Sequence, residues 1–204
     1  YKVGVLDADI IGPSIPRLLG VDKQRARASE QYIYPAITDD GIKVMSLNLL
    51  IEDEEQPVIW RGAMISNVVK QFYTDVLWEE LDYLIIDMPP GTGDVALTVM
   101  QSIPINGVIM VTVPQDMVSM IVAKAVHMVK KLNIDVIGVV ENMSYIKCPD
   151  CGKKIEIFKG EHNRKFLDDM NLNLLGQLPM NTGLGNVSLG IYNDGDEEVE
   201  GLFN

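Results

Sequence analysis

The sequence predicts an α/β fold in which a doubly wound, mostly parallel sheet carries helices on both faces. Apolar runs of strand length recur along the chain, and they are nearly continuous, as strands buried on both faces of a parallel sheet require. Helical stretches separate the runs, and strands that alternate with helices imply right-handed βαβ crossovers. The runs are Val3–Leu6, Ile42–Leu47, Tyr83–Ile86, Gly107–Val113, Val136–Val140 and, more weakly, Leu174–Leu178.

Three stretches between the strands are predicted to be helical: Ala63–Leu81, Asp94–Ser102 and, most clearly, Gln115–Leu132. Lys130 and Lys131 lie in the last turn of Gln115–Leu132, where their charges suit the negative C-terminal end of a helix. Its apolar stripe follows helical spacing and is predicted to comprise Met117, Met120, Ile121, Lys124, Ala125, Met128 and Val129. Open sheets of this kind bind ligands at the carboxyl ends of their strands, so we look for chemistry there.

Composition limits the kinds of partner. The 204 residues are 47% hydrophobic and 23% charged, which is ordinary for one domain with a large core. A net charge of −12 argues against sequence-independent binding to nucleic acid or anionic lipid, since those phosphate surfaces would repel the protein. No apolar run approaches the roughly 20 residues that cross a bilayer, and nothing resembles a signal peptide. We expect a cytoplasmic protein that binds proteins or small ligands.

The third strand ends in a carboxylate, Asp87, which the string Met-Pro-Pro-Gly-Thr-Gly-Asp follows. An apolar strand that delivers one aspartate to its tip is the Walker B arrangement, in which the carboxylate orients Mg²⁺. Backbone N–H groups of the turn after it can contact a γ-phosphate. The structural alternative is that Asp87 only caps the next helix. The extended string favours the nucleotide-site interpretation.

Two more carboxylates, Asp7 and Asp9, lie on the turn after the first strand. Alternate residues at a strand end project in the same direction, so both side chains can face one Mg²⁺-phosphate site. A carboxylate there can position an attacking water and accept its proton. Helix capping is the alternative, but it needs only one such residue. Two carboxylates near a second acidic strand end favour a charged ligand.

Cys148 and Cys151 are the only cysteines, and they are separated by two residues. This spacing lets both sulfurs point at one metal, Gly152 permits a tight turn, and the lysines at 147, 153 and 154 favour the thiolates. Two thiolates are half of a tetrahedral site. Among the histidines, His127 is interpreted as a helix-surface residue, and His162 is a weak candidate for a third zinc ligand.

Three arrangements fit the cysteine pair. The first is a thioredoxin-like redox pair, which normally lies at the start of a helix. The second is a zinc knuckle that another chain completes. The third is a homodimer that bridges a four-iron cluster with two cysteines from each copy. A two-fold axis turns two ligands into four, which favours the third arrangement.

The sequence resembles the Mrp/ApbC family of iron–sulfur cluster carriers, in the deviant Walker A class of P-loop ATPases that contains MinD and ParA. The resemblance covers nearly the whole chain, and its strings follow the family's order: KVGVLDADIIGPSIPRLLG, PVIWRG, LIIDMPPGTGD, TVPQ, ENMSYIKCPDCG and LGQLP. The family begins with a strand and a GKGGVGKS-type phosphate loop that these residues do not contain. The implied fold is P-loop NTPase-like over residues 1–204, with the first strand and the loop expected before Tyr1.

The resemblance also implies roles for individual residues around a bound ATP and Mg²⁺. Asp9 would lie in switch I beside the attacking water, Asp7 near the metal, and Asp87 would be the Walker B aspartate. Gly91 would belong to switch II. The residues that would face the adenine are Asn142 and Pro179.

At the cysteines, the resemblance implies that Cys148 and Cys151, in the segment 142–160, hold a labile [4Fe–4S] cluster at a homodimer interface, with zinc as the substitute metal. The implied function is an ATPase that receives a cluster from a donor and transfers it to apo iron–sulfur proteins. The alternative is a MinD/ParA-like nucleotide-switch regulator or scaffold with a structural zinc knuckle. A membrane-targeting helix or a basic surface would support this alternative, and the sequence shows neither. The expected partners therefore include no nucleic acid and no membrane.

Overall fold

The computed structural model describes residues 1–51, 62–114, 116–148, 150–156 and 161–180, without the side chains of 62–63, 116–119 and 161–164. The backbone divides into two compact units. Unit one comprises the described residues of Tyr1–Ile103, and unit two comprises those of 104–180.

Unit one contains helices and mostly parallel strands. Its helices are α1 (Ile15–Leu18), α2 (Gly62–Thr74) and α3 (Asp94–Ser102), with one turn of 3-10 helix at Leu47–Leu49. Its strands are β1 (Val3–Asp7), β2 (Arg27–Ala28), β3 (Ile33–Tyr34), β4 (Ala36–Ile37), β5 (Lys43–Met45) and β6 (Tyr83–Asp87). The sequence predicted β1, β5 and β6 but missed α1 and the three two-residue strands.

The four-stranded sheet of unit one has the order β4-β5-β1-β6. Strand β1 pairs in parallel with both β5 and β6, whereas β4 pairs with β5 in antiparallel fashion. Strands β2 and β3 form a separate antiparallel pair. Asp7 and Asp87 are the last register partners of β1 and β6, so the two carboxylates leave the sheet at the same edge.

Packing explains the composition of β1. Leu6 and Asp7 are fully buried, and Val5 is 9% exposed. A Cβ at Gly4 would lie 2.7 Å from Leu81 and 3.0 Å from Leu84 and Trp78, so any larger residue would make these side chains shift. The Trp78 ring is fixed by its Nε1–H, which donates to the Phe72 carbonyl at 3.0 Å.

Helix α2 is shorter than the predicted Ala63–Leu81. It ends at Thr74 because the residues that follow pair with β3 instead. Ile33 N–H donates to the Asp75 carbonyl at 2.8 Å, and Leu77 N–H donates to the Ile33 carbonyl at the same distance. The apolar residues after Thr74 are therefore core residues in an extended segment.

Unit two contains the strands β7 (Val108–Thr112), β8 (Val136–Lys147), β9 (Lys154–Glu156) and β10 (Leu174–Pro179), with the helices α4 (Asp116–Lys131) and α5 (Glu161–Met170). Strand β8 is parallel to β7 and β10 and antiparallel to β9. The predicted end of this strand at Val140 is wrong. The strand continues to Lys147 and absorbs an irregularity at Met143, whose φ is 53°.

The buried face of α4 differs from the predicted stripe. Val122, Val126 and Val129 are buried, whereas Met120 and Ile121 are 65% and 55% exposed. The helix ends as predicted after Lys130 and Lys131, and Asn133 takes the left-handed φ of 56° that closes a helix C-terminus. None of the helices in the described parts of the chain has the length and hydropathy of a membrane span.

These observations confirm the α/β class and the mostly parallel strands. Burial on both faces holds for β1, but β7 alternates, with Ile109 52% and Val111 64% exposed. The described residues of unit two therefore cover only one face of β7. The prediction of a single domain over 1–204 stays a prediction.

Candidate nucleotide and metal-binding sites

Unit one brings the three predicted carboxylates together at the ends of β1 and β6. Asp7 pairs in register with Asp87, and Ala8 N–H donates to the Asp87 carbonyl at 2.8 Å. Burial and the nearby charge of Asp9 both raise the pKa of Asp87. The sequence predicted this cluster from two strand tips, because parallel strands end at one edge.

Asp7 is the most deeply held of the three. It is 0% exposed, and its carboxylate accepts three hydrogen bonds: from Asp9 N–H at 3.2 Å, from Ile15 N–H at 3.4 Å and from the Ser46 hydroxyl at 3.0 Å. Burial outweighs these donors and raises its pKa from 3.8 to about 6. Because Ile15 begins α1, Asp7 accepts the first N–H of that helix, whose N-cap residue is Ser14.

Asp9 lies on the loop that Asp7 organises. Its side chain is partly exposed, and its Oδ1 accepts Gly12 N–H at 3.2 Å, which tightens the turn. Asn48 also holds this loop, because its amide donates to the Pro13 carbonyl at 3.4 Å. Asp9 is therefore a partly accessible carboxylate on a loop that hydrogen bonds to Asp7, Asp9 and Asn48 fix in place.

The capping alternative does not apply to Asp87. The residue that caps α3 is Gly93, and no side chain makes a cap hydrogen bond there. Gly91, in the turn between Asp87 and α3, has a φ of 88° and is exposed, with no atom within 4 Å of a Cβ built on it. The turn thus needs glycine at this position for its backbone conformation rather than for space.

The carboxylates fit a Mg²⁺-nucleotide better than a metal held by protein alone. Among the residues whose side chains are described, no group of three or more His, Cys, Asp or Glu is arranged to hold a metal ion. Mg²⁺ usually binds through one or two carboxylates, waters and substrate phosphates, so it needs no such group. Asp9 and Asp87 suit that role, whereas Asp7 already accepts three protein donors.

In unit two, Cys148 and Cys151 lie on the turn between β8 and β9. Cys148 N–H donates to the Lys153 carbonyl at 3.0 Å, and Gly152 N–H donates to the Cys148 carbonyl at 2.9 Å. Gly152 has a φ of 68°, as its predicted role in a tight turn requires. The position between two strands differs from the helix start that a thioredoxin-like pair normally occupies.

The turn favours the thiolate form of Cys148. Its sulfur accepts hydrogen bonds from Cys151 N–H, from Asp150 N–H and from the Cys151 thiol, and these lower the pKa of Cys148. Both cysteines are free thiols, and Cys151 is exposed. Hydrogen bonds from backbone N–H groups to sulfur are also the means by which proteins tune iron–sulfur clusters.

No third ligand joins the two sulfurs within the described side chains. His127 is exposed on α4, which confirms its interpretation as a helix-surface residue. The side chain of His162 lies outside the described residues. The described part of unit two therefore supplies two thiolates of a four-ligand site.

Asn142 and Pro179 lie on the neighbouring strands β8 and β10. The Asn142 Oδ1 accepts Met143 N–H at 2.9 Å, so the side chain helps to form the irregularity in β8. Pro179 is the last residue of β10 and pairs with Tyr145, whose carbonyl accepts Met180 N–H at 2.7 Å. Their role at the adenine stays a prediction.

The sequence analysis missed two sets of polar side chains. Ser46, 0% exposed, interrupts the apolar run of the second predicted strand, and a hydroxyl beside an acidic strand tip was a usable signal. The second set comprises Glu141, Tyr145 and Gln177, which form a network with Lys154, a residue that the sequence placed only near the thiolates. Its contacts join residues 9 to 36 positions apart on three strands, which no local pattern reveals.

Known proteins resemble this chain over most of its length. The chain is 52% identical over 191 residues to the "Iron-sulfur cluster carrier protein" of Clostridium perfringens, covering 90% of this chain and 67% of that protein. The protein of the same name from Methanocaldococcus jannaschii is 49% identical over 180 residues, covering 88% and 62%. This chain thus spans about two thirds of the length of these curated relatives.

This chain also resembles a solved structure, the nucleotide-binding protein from Archaeoglobus fulgidus in complex with ADP, in which Co was found. The two superpose with a TM-score of 0.79 at 36% identity, over 94% of this chain and 76% of that one. Residues 1–190 match the family described as "ParA: NUBPL iron-transfer P-loop NTPase". Together these matches confirm the resemblance and show that the chain belongs to the NUBPL iron-transfer P-loop NTPase family.

Proposed function

We propose that the intact protein is a nucleotide-dependent carrier, which holds an iron–sulfur cluster between the cysteine pairs of two copies and passes it to apo-proteins. The observation that carries this proposal is the turn of Cys148 and Cys151, where two free thiols share one exposed turn and backbone N–H groups favour a thiolate. The name shared by the curated relatives supports the same cargo.

Ligand number is the reason for two copies. A [4Fe–4S] cluster takes four thiolates, and this chain has only two cysteines. A two-fold axis through the turn would bring two more of the same residues to one cluster. A site shared by two exposed turns is also easy to open, because only one side of the cluster belongs to each copy. Lability of this kind suits a carrier whose cluster must leave.

The carboxylates of unit one would serve ATP hydrolysis. Asp9 would orient the attacking water and accept its proton, and Asp87 would orient Mg²⁺ on the phosphates. Asp7 would hold the loop that carries Asp9, given its three hydrogen bonds. Gly91 would let the turn after Asp87 follow the γ-phosphate, and Asn142 and Pro179 would face the adenine. Nucleotide contacts that order such loops can couple to an interface between copies.

The protein would act in the cytoplasm, where free thiols stay reduced. It would receive its cluster from a donor protein and deliver it to apo iron–sulfur proteins. Its own contribution would be a reversible thiolate site rather than redox chemistry.

The test is anaerobic reconstitution of the intact protein with iron and sulfide, followed by absorption spectroscopy. We expect the broad thiolate-to-iron absorbance in the wild type and its complete loss in the Cys148→Ala/Cys151→Ala double variant. Asp150→Ala is the matched control, since it changes the same turn but keeps the backbone N–H that faces Cys148. A cluster that forms equally well in the double variant would refute the proposed carrier site.

A further inference from the structure

A lysine next to the cysteine turn reaches across strand β8. Tyr145 of β8 pairs with Glu156 of β9 and with Pro179 of β10, so these strands flank β8 on opposite edges. Lys154 belongs to β9, yet its ammonium lies 3.9 Å from the centroid of the Tyr145 ring and donates to the Gln177 Oε1 of β10 at 3.2 Å. Its side chain therefore crosses β8 over the tyrosine ring and ties the outer strand of the cysteine hairpin to β10.

The far end of this contact is anchored on a buried charge. The Gln177 Nε2 donates to the Glu141 carboxylate at 2.7 Å, and Glu141 is only 4% exposed. The amide of Gln177 thus turns its oxygen to a cation and its NH₂ group to an anion. Rotating the amide by half a turn would place like partial charges together at both ends. The two charged side chains therefore select one orientation of Gln177, which fixes where the Lys154 ammonium binds.

The position of Lys154 matters for the cysteines because it lies at the base of their turn. It pairs directly with Lys147, the residue before Cys148, and like charges directly opposite each other destabilise a strand pair. Contact with Tyr145 and Gln177 draws the Lys154 ammonium toward β10. The next residue inward, Lys153, supplies the carbonyl that accepts Cys148 N–H at 3.0 Å and closes the turn.

We propose that Lys154 is a positioning residue for the metal-binding turn. Its ammonium is held over Tyr145 by Gln177, which Glu141 orients, and it thereby keeps Cys148 and Cys151 in the geometry that binds metal. This inference rests on the proposed carrier function, since it assigns the turn a metal to capture. It adds a residue outside the cysteine motif that acts on the site only through the hairpin backbone.

The experiment uses the intact, reduced, metal-free protein and Co²⁺ alone as the probe, because cobalt–thiolate absorption reports ligand geometry without iron or sulfide. Lys154→Met removes the charge but keeps the length and the apolar stem. Lys154→Arg keeps a cation that can stack on tyrosine and donate to Gln177. Lys153→Met is the matched control, because it removes the same charge from the same turn but leaves the Lys153 carbonyl. Hydrogen–deuterium exchange of the Cys148 and Gly152 amides is measured in each metal-free variant.

We expect Lys154→Met to weaken Co²⁺ binding about tenfold, the usual effect of losing a residue that orients metal ligands, and to speed exchange of both turn amides. Lys154→Arg should keep most of the wild-type Co²⁺ affinity and most of the protection of the turn amides. Lys153→Met should change the Co²⁺ affinity less than about twofold. Gln177→Leu should weaken Co²⁺ binding as much as Lys154→Met does. The double variant should bind Co²⁺ little more weakly than either single variant, since both changes remove the same contact between Lys154 and Gln177.

The inference is overturned if Lys154→Met binds Co²⁺ and exchanges like the wild type, or if Lys153→Met weakens binding as much. Its failure can be told apart from that of the carrier function. A wild type that binds Co²⁺ in a Lys154-dependent way but takes up no iron–sulfur cluster would support the positioning role and refute the carrier. A wild type that takes up the cluster, with no effect of Lys154→Met on Co²⁺ binding or amide exchange, would support the carrier function and refute the positioning role.

Discussion

The two candidate sites differ in how far the chain completes them. In unit one, the Asp7 carboxylate is fully buried and accepts three hydrogen bonds from its own unit, which fix the loop of Asp9. In unit two, the cysteine turn has an exposed Cys151 and supplies two free thiols. The fold therefore organises the carboxylates in advance, whereas the proposed cluster site would need ligands from a second copy. We expect changes at the first site to act within one copy and changes at the second to act on assembly.

The largest effect should come from removing the partly exposed carboxylate of the first site. In the intact protein, Asp9→Asn should lower the rate of ATP hydrolysis about 10²- to 10⁴-fold, because an amide cannot accept the proton of the attacking water. The amide oxygen can still accept Gly12 N–H, so the loop and the affinity for ATP should be kept. Steady-state hydrolysis and nucleotide binding measure the two quantities.

Asp40→Asn, on an exposed turn, is the control for charge and should hydrolyse ATP at the wild-type rate. If the two sites are organised separately, Asp9→Asn should still take up a cluster. Wild-type hydrolysis by Asp9→Asn would contradict the role assigned to this carboxylate.

The strands that lead to the two sites should differ in their tolerance of an added methyl group. A Cβ at Gly138 of β8 would lie 2.7 Å from the Asn173 carbonyl oxygen and 2.6 Å from Leu175, so backbone would have to move. At Gly4 of β1 the close atoms all belong to side chains, which can shift. We expect Gly138→Ala to lower the free energy of unfolding by up to about 3 kcal/mol and Gly4→Ala to cost less, nearer about 1 kcal/mol.

Urea denaturation of both variants against the wild type measures this difference. Circular dichroism of the folded variants shows whether each keeps its secondary structure. A larger loss for Gly4→Ala would mean that the packing around β1 is the more rigid of the two.

A smaller effect should appear in the pH dependence of stability. Burial raises the pKa of Asp7 to about 6 in the folded state, so the folded protein binds this proton more tightly than the unfolded chain. Asp7 therefore contributes stability as pH falls, and this contribution is lost as pH rises through about 6. Between about pH 8 and about pH 5, one unit below that pKa, the gain should be about 1.4 kcal/mol.

Asp7→Asn should lack this gain, so the wild type should gain stability relative to the variant as pH falls. Asp87, whose pKa is raised in the same direction, is present in both proteins. Free energies of unfolding at the two pH values measure the difference. Equal pH dependence in the two proteins would show that Asp7 ionises in the folded protein as easily as in the unfolded chain.

The sequence predicted the parts of the sites that depend on local pattern. The carboxylates could be placed together because Asp7 and Asp87 end apolar strands, and parallel strands end at one edge. The tight cysteine turn followed from the spacing of Cys148 and Cys151 and from the glycine after them. These features need only neighbours in the chain and the rules of strand geometry.

Contacts between distant residues were beyond the sequence. The continuation of β8 to Lys147 depends on pairing with β9 and β10, and the crossing of Lys154 over Tyr145 depends on which edges those strands occupy. Helix α4 has apolar residues on more than one face, so periodicity alone did not select the face that Val122, Val126 and Val129 bury. In each case tertiary packing decided between alternatives that the local pattern allowed.

The most direct test of the account is the stoichiometry of the metal in the assembled protein. Iron, acid-labile sulfide and protein are quantified after anaerobic reconstitution, and native mass spectrometry gives the oligomeric state of the same sample. We expect a dimer with about four iron and four sulfide ions, which dissociates to monomers when the cluster is removed or when Cys148 and Cys151 are replaced. A dimer that keeps one zinc ion and takes up no iron or sulfide would contradict the carrier function and favour a scaffold with a zinc knuckle.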